Sequence, residues 1–213
     1  MSVSAHASGI FFFNRYSRSV FRSDSKKLNS GITDDARIDE LRRFIGDNFA
    51  TPFFAHVQLV GTHGSKFDPP DRLFSKDKEQ TEKWMVDFYD DAIRHFDKLL
   101  ENVYDHLVQR QVMENTIIVV SSDHGIQYTF SDRLPLIFRF PNQQYYGRLI
   151  HNTQRMDIAP TILDYLQVKI PNWMEGQSHL NGDQGLEMTR SIYSGTVGKV
   201  EVTEKGWFEA TEL

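Results

Sequence analysis

Apolar and polar positions follow two different periods along this chain. Asn115-Thr-Ile-Ile-Val-Val120 is a run of β-branched apolar residues, which predicts a buried strand. Phe53 to Val60 predicts another, alternating imperfectly because both of its faces are expected to be covered. Leu134 to Phe140 predicts a third, with Pro135 tolerated at a first or edge position. Helical spacing rules elsewhere. Trp84, Phe88, Ala92, Phe96, Leu100, Val103 and Leu107 recur every three to four residues, predicting one amphipathic helix over about 79–112. Thr33-Asp34-Asp35 marks a helix start, with acids placed to suit the helix dipole, and Thr51-Pro52 stops that helix after about residue 49. Met156-Asp-Ile-Ala-Pro160 opens a helix to about Leu166. Gly9 to Phe13 predicts a strand or packed edge, and Ile192 to Ser194 with Lys199 to Thr203 predict a C-terminal hairpin.

This order of strand, loop, helix and strand predicts an α/β fold; the family resemblance given below implies its form, a mainly parallel sheet with helices on both faces, incomplete, with a small hairpin at its end. The expected organisation is an N-terminal extension over 1–50 with its helix at 34–49, an α/β core over 51–180, and a hairpin or tail over 181–213.

Composition narrows the chemistry. The chain has 213 residues, a net charge of −5 and no cysteine. Disulfides, thiolate metal sites and cysteine nucleophiles are therefore excluded within it. The acidic balance argues against a general nucleic-acid surface. No stretch of about 18 apolar residues is present, so no membrane span is expected.

The richest candidate site follows the 116–120 strand. There Ser121-Ser122-Asp123-His124-Gly125 places an acid, an imidazole and a glycine where the strand must end. Carboxyl ends of strands in open α/β sheets collect chemistry. Asp and neutral His suit a divalent cation, and glycine permits the tight turn. Asp123 and His124 are thus candidate metal ligands.

The order of several short segments resembles the sulfatase family of the alkaline phosphatase superfamily, over roughly residues 50–180. These are Pro52-Phe-Phe-Ala55, Gly61-Thr-His-Gly64, Tyr89-Asp-Asp-Ala92 with Asp97, Ile117-Ile-Val-Val-Ser-Ser-Asp-His-Gly125, Arg133-Leu-Pro-Leu-Ile137, Met156-Asp-Ile-Ala-Pro-Thr-Ile-Leu163 and Gly176-Gln-Ser178. The resemblance implies metal-dependent hydrolysis of a sulfate ester, with Asp123 and His124 as ligands of a divalent metal that polarises the ester. Calcium is usual in that family, and manganese or zinc occurs among relatives. His63 matches a histidine near the substrate oxyanion or leaving group. Lys66 lies close by as an auxiliary substrate-binding cation, without a matching family position. A phosphodiesterase or phospho-group transferase of the same superfamily is the alternative, as is a truncated, catalytically inactive domain.

The family's nucleophile sits in a Cys/Ser-x-Pro/Ala-x-Arg motif, which this chain lacks. A formylglycine made from cysteine cannot form within it. About 50 residues precede the first matched strand, so the chain is expected to correspond to the C-terminal portion of a sulfatase domain. Such a piece is expected to expose apolar sheet surface and to self-associate. The other acids carry structural expectations: Asp34 and Asp35 capping, Asp90, Asp91 and Asp97 on an exposed helix face, and Asp157 capping its helix. Trp173 and Trp207 are expected to pack rather than to stack on a sugar.

Overall fold

The computed structural model describes residues 10–14, 33–48, 50–126, 133–182, 190–194, 198–202 and 208–211. The chain divides into two compact units, Met1–Thr116 and Ile117–Leu213.

The first unit contains β1 (Ile10–Asn14), α1 (Asp34–Asn48), β2 (Phe53–Val57) and α2 (Val86–Gln109). β1 pairs antiparallel with β2, Phe12 opposite Ala55. α1 packs on α2. Ile38, Leu41 and Ile45 form the buried stripe of α1, and Phe88, Ala92, Leu99, Val103 and Leu107 that of α2. Their three- and four-residue spacing keeps each set on one face. Thr33 caps α1, its Oγ1 accepting the Ala36 N–H at 3.2 Å. The imidazole of His95 on α2 meets the Asp35 carboxylate of α1 at 3.0 Å.

α2 is shorter than its periodicity predicted. It starts at Val86, because Trp84 adopts φ 61° and its N–H goes to the carbonyl of Ser65 at 2.9 Å. The Trp84 indole instead packs beside a cluster of Phe67, Phe88 and Ala92 under the 61–85 loop. Its helical spacing from Phe88 reflected shared burial and not shared helix. The helix ends in a Schellman arrangement. Val112 N–H bonds Leu107 O, Gln111 N–H bonds Val108 O, and Gln111 takes the left-handed position at φ 58°.

The second unit contains β3 (Ile118–Ser121), β4 (Leu136–Arg139), α3 (Ile158–Tyr165), β5 (Arg190–Ser194), β6 (Gly198–Val202) and β7 (Phe208–Thr211). β3 and β4 pair antiparallel, Val119 opposite Phe138. The expected C-terminal hairpin is a three-stranded antiparallel sheet in the order β5-β6-β7. α3 also ends in a Schellman arrangement, with Gln167 at φ 56° and Val168 N–H on Leu163 O.

Helices and strands are both present, but the described strands do not form the mainly parallel sheet expected. They form three separate sheets, each antiparallel. A parallel pair needs a long crossover, and α2 has the length for one. Apolar runs report burial and not the direction of a partner strand. Among the described residues no helix is long and apolar enough to cross a membrane.

Candidate functional site

β3 delivers the chain into Ser122-Asp123-His124-Gly125 in the second unit. The Ser122 hydroxyl donates to the His124 carbonyl at 2.7 Å, which closes the turn locally. His124 Nδ1 lies 2.8 Å from the Gly125 carbonyl. A carbonyl only accepts, so Nδ1 donates to it, and in the neutral ring Nε2 holds the lone pair. That nitrogen faces Asp123, with Oδ1 at 3.7 Å, and the two side chains are 57% and 29% exposed for Asp123 and His124 respectively. The separation is wide for a hydrogen bond. A divalent cation about 2.0–2.4 Å from each atom spans it. The pair therefore fits two positions of a metal's coordination shell. Calcium takes about six to eight ligands, so two side chains make only part of a site. Among the described residues no group of three or more His, Asp, Glu or Cys is placed to hold an ion.

His63 and Lys66 belong to the first unit, in the loop after β2, and both are exposed. The His63 N–H bonds the Val60 carbonyl at 2.9 Å, and Gly64 follows at φ 99°, a conformation open to glycine and strained for other residues. Gln80 clamps the loop from outside. Its amide donates to Ser65 O at 3.0 Å and its carbonyl accepts the Phe67 N–H at 2.9 Å.

Three acids prove to be buried hubs. Asp34 does not cap α1, because Thr33 does; its carboxylate reaches the end of β2 instead. Oδ1 and Oδ2 each lie 3.0 Å from Val60 N, Oδ2 lies 2.6 Å from Gly61 N, and the Arg37 guanidinium closes on Oδ1 at 2.5 Å. This acid ties α1 to the loop carrying His63. Nothing local in the sequence signalled it, since the partners lie 26 and 27 residues away.

Asp91 was expected on an exposed helix face and is fully buried. It accepts N–H groups of Leu73, Phe74 and Ser75 at 2.8–3.1 Å and the Ser75 hydroxyl at 2.7 Å. Burial alone raises a carboxyl pKa. Here the Ser75 hydroxyl and the three backbone donors outweigh it and hold Asp91 far below the usual carboxylate range. The apolar stripe of α2 already placed position 91 beside Ala92, which was the available signal.

Asp157 was expected to cap its helix, but at the start of α3 its side chain makes no cap hydrogen bond; it closes a reciprocal box with Gln154 one turn earlier, at the 3₁₀ turn Arg155–Asp157. It also accepts the Gln177 N–H at 2.8 Å, and His179 Nε2 lies 3.3 Å from it without completing a hydrogen bond. The 176–179 segment crosses so close to the helix start that a Cβ on Gly176 would lie 2.0 Å from the Met156 carbonyl oxygen. Only glycine fits there. Trp173, expected to pack, is 76% exposed. Trp207 lies outside the described residues.

The comparisons with known proteins agree with the residue pattern. The chain is 34% identical over 100 residues to an arylsulfatase of Hemicentrotus pulcherrimus, covering 47% of the chain and 16% of that protein. It is 27% identical over 165 residues to an ulvan-active sulfatase of Formosa agariphila, covering 68% of the chain and 32% of that protein. It is 25% identical over 162 residues to lipoteichoic acid synthase 1 of Bacillus subtilis, covering 66% of the chain and 25% of that protein. The chain thus spans a third or less of the length of these relatives. No solved structure matches it at a significant level. The family model for sulfatases matches residues 6–168, most of the chain, and the chain therefore belongs to the sulfatase family.

Proposed function

We propose that this chain contributes metal-binding and substrate-facing residues to the hydrolysis of a sulfate ester. Asp123 and His124 are two ligands of a divalent cation, calcium by family habit, and His63 assists at the leaving group or oxyanion. The carrying observation is the Asp123–His124 pair, with Oδ1 and Nε2 3.7 Å apart and the histidine tautomer set by Gly125. A bound cation would supply Lewis-acid polarisation of the ester oxygen. The chain's own part is to hold a carboxylate and a neutral imidazole in that register on a strand end. Lys66, exposed three residues after His63, is the proposed auxiliary cation for the anionic ester. Family membership and the arylsulfatase match support sulfate chemistry.

Phosphoryl-group transfer is the second reading, favoured by the match to lipoteichoic acid synthase 1. The test is calorimetric titration of the native protein with calcium, manganese and zinc, followed by a panel of aryl sulfate, aryl phosphate and phosphodiester substrates. Asp123→Ala and His124→Ala are expected to weaken metal binding at least tenfold and to abolish turnover. Unchanged metal affinity in both variants would refute the ligand assignment, and phosphodiester turnover without sulfate turnover would select the second reading.

Self-association through sheet surface remains part of the proposal, supported by Phe54 on β2 and Ile137 on β4, which are 54% and 57% exposed. A sedimentation coefficient independent of protein concentration would remove it.

A further inference from the structure

A cleft of about 530 Å³ opens in the second unit, between the C-terminal end of α3, the loop after β4 and the turn at 179–182. Its size falls in the range of small-molecule sites. Two tyrosines form one wall. Tyr145 and Tyr165 stand 6.2 Å apart at 73°, and both pack on Phe140, at 5.1 and 4.9 Å between ring centroids. Phe140 is buried and stacks on Phe138 of β4, so the wall is anchored before any ligand arrives. Tyr145 keeps 44% of its surface open.

Planar polar groups converge on that wall. Gln144, Asp164, Gln167 and Asn181 line the cleft with the tyrosines. The Tyr165 hydroxyl donates to Gln144 Oε1 at 3.1 Å, which orients that amide and leaves its two N–H donors uncommitted. The Ser178 hydroxyl donates to Asp164 Oδ2 at 2.5 Å and accepts the Leu180 N–H at 3.4 Å, tying the turn that carries Asn181 to the same carboxylate. Among the described residues, Asp164 Oδ1 and the side-chain amides of Gln167 and Asn181 have no partner. Gln144, Gln167 and Asn181 are exposed and Asp164 is half-buried, so these groups are open to a ligand. Gln167 holds its amide at φ 56°, the left-handed position after α3 that glycine fills without strain. A side chain kept in a strained conformation beside a cleft points to a use for it. No lysine, arginine or histidine lines the cleft among the described residues.

We propose that this cleft binds a neutral sugar ring, its C–H face laid on Tyr145 and its hydroxyls shared among Gln144, Asp164, Gln167 and Asn181. A pyranose has the matching chemistry: a face of aliphatic C–H groups and pairs of neighbouring hydroxyls that each donate and accept. An aromatic ring suits the face. A planar amide or carboxylate presents two polar atoms side by side and meets both hydroxyls of a pair. The tyrosines meet edge to face, so they offer one stacking surface and not the parallel pair that would sandwich a flat base. Asp164 supplies negative charge and no lining cation offsets it, so a sulfated or phosphorylated ring is disfavoured. The inference shares no residue with the ester chemistry proposed for Asp123 and His124 and stands without it.

The test is saturation-transfer nuclear magnetic resonance on the full chain with glucose, galactose, mannose, xylose, rhamnose, N-acetylglucosamine, cellobiose, maltose and lactose. Glucuronic acid, glucose 6-sulfate and adenosine serve as controls. At least one neutral sugar is expected to bind saturably, with a dissociation constant of about 10 mM or below, and more tightly than all three controls. Tyr145→Ala should weaken that binding about fivefold, while Tyr145→Phe retains it. Gln167→Gly separates function from folding, because it removes the amide and relieves the left-handed backbone. Its thermal stability should hold or rise while binding weakens about threefold. No saturable response to any neutral sugar, a control binding more tightly than every neutral sugar, or affinity unchanged in Gln167→Gly would each overturn the proposal. Circular dichroism reports whether Tyr145→Ala folds; a folded Tyr145→Ala of unchanged affinity would also overturn it, and Gln167→Gly decides the matter where that variant does not fold.

Discussion

The loops after β2 and β3 both follow strand ends, yet they treat their acids in opposite ways. After β2, the Asp34 carboxylate is filled by two backbone N–H groups and a guanidinium, and it is buried. After β3, Asp123 is 57% exposed and faces Nε2 of His124 across 3.7 Å. A carboxylate has about four acceptor positions. Filled by donors, it becomes a structural tie; left facing another acceptor, it suits a cation. Asp91 and Asp157 fall with Asp34, since both are fully buried and accept backbone N–H groups on both oxygens.

Stability measurements sharpen this contrast, and the largest effect belongs to Asp91. Asp91→Ala orphans the buried Ser75 N–H and hydroxyl and the part-buried N–H groups of Leu73 and Phe74, and is expected to cost about 3–5 kcal/mol in urea unfolding. A cost below about 1 kcal/mol would mean that the loop at 73–75 is not held by this acid. Asp34→Ala strands the buried Arg37 guanidinium and frees Val60 and Gly61, for an expected loss of about 2–4 kcal/mol. Asp34→Asn should recover little, because an amide oxygen cannot replace a bond to the guanidinium and two N–H groups together.

Acid titration separates the two classes further. Burial, with the Arg42 and Arg110 guanidiniums, lowers the folded-state pKa of His106, so in the window just below the usual histidine value of about 6.5 the unfolded chain binds more protons. Stability therefore falls as pH drops through that window, and His106→Gln should flatten this limb. The lowered pKa of Asp91 acts below about pH 4, where stability present at higher pH is lost as the unfolded carboxylate protonates. A stability curve of Asp91→Asn parallel to that of the unmodified chain below pH 4 would contradict its role.

Smaller effects come from Gln111, which occupies a left-handed position after α2 where glycine is unstrained. Gln111→Gly is expected to change stability by less than about 1 kcal/mol, in the stabilising direction. The smallest effect is expected at Asp123. Asp123→Ala should shift unfolding by less than about 0.5 kcal/mol in the absence of metal, because no buried donor among the described residues depends on it. A large loss there would move Asp123 into the structural class and weaken the case for it as a ligand.

Much of this was legible in the residues because it is local. The β-branched run before Ser121, the apolar stripe of α2 and the pairing of acid, imidazole and glycine at 123–125 each depend on neighbours a few positions apart. The order of short segments was enough to place the chain among sulfatases. The start of α2 was misjudged because Trp84 keeps helical spacing while its backbone turns away to bond Ser65. Asp91 was misjudged because a charged residue beside an apolar stripe resembles a solvated face unless its partners, 16–18 residues upstream, are known.

By itself the sequence determined most of the helical and extended segments, the family, and where an acid and an imidazole follow a strand end, since these follow from periodicity and short-range order. Only the tertiary structure decided which strands pair and in what direction. It also decided which acids accept distant N–H groups and which aromatic and amide side chains gather at the end of α3. Those outcomes depend on long-range partners, and a hydrogen bond between residues tens of positions apart leaves no periodic trace in the chain.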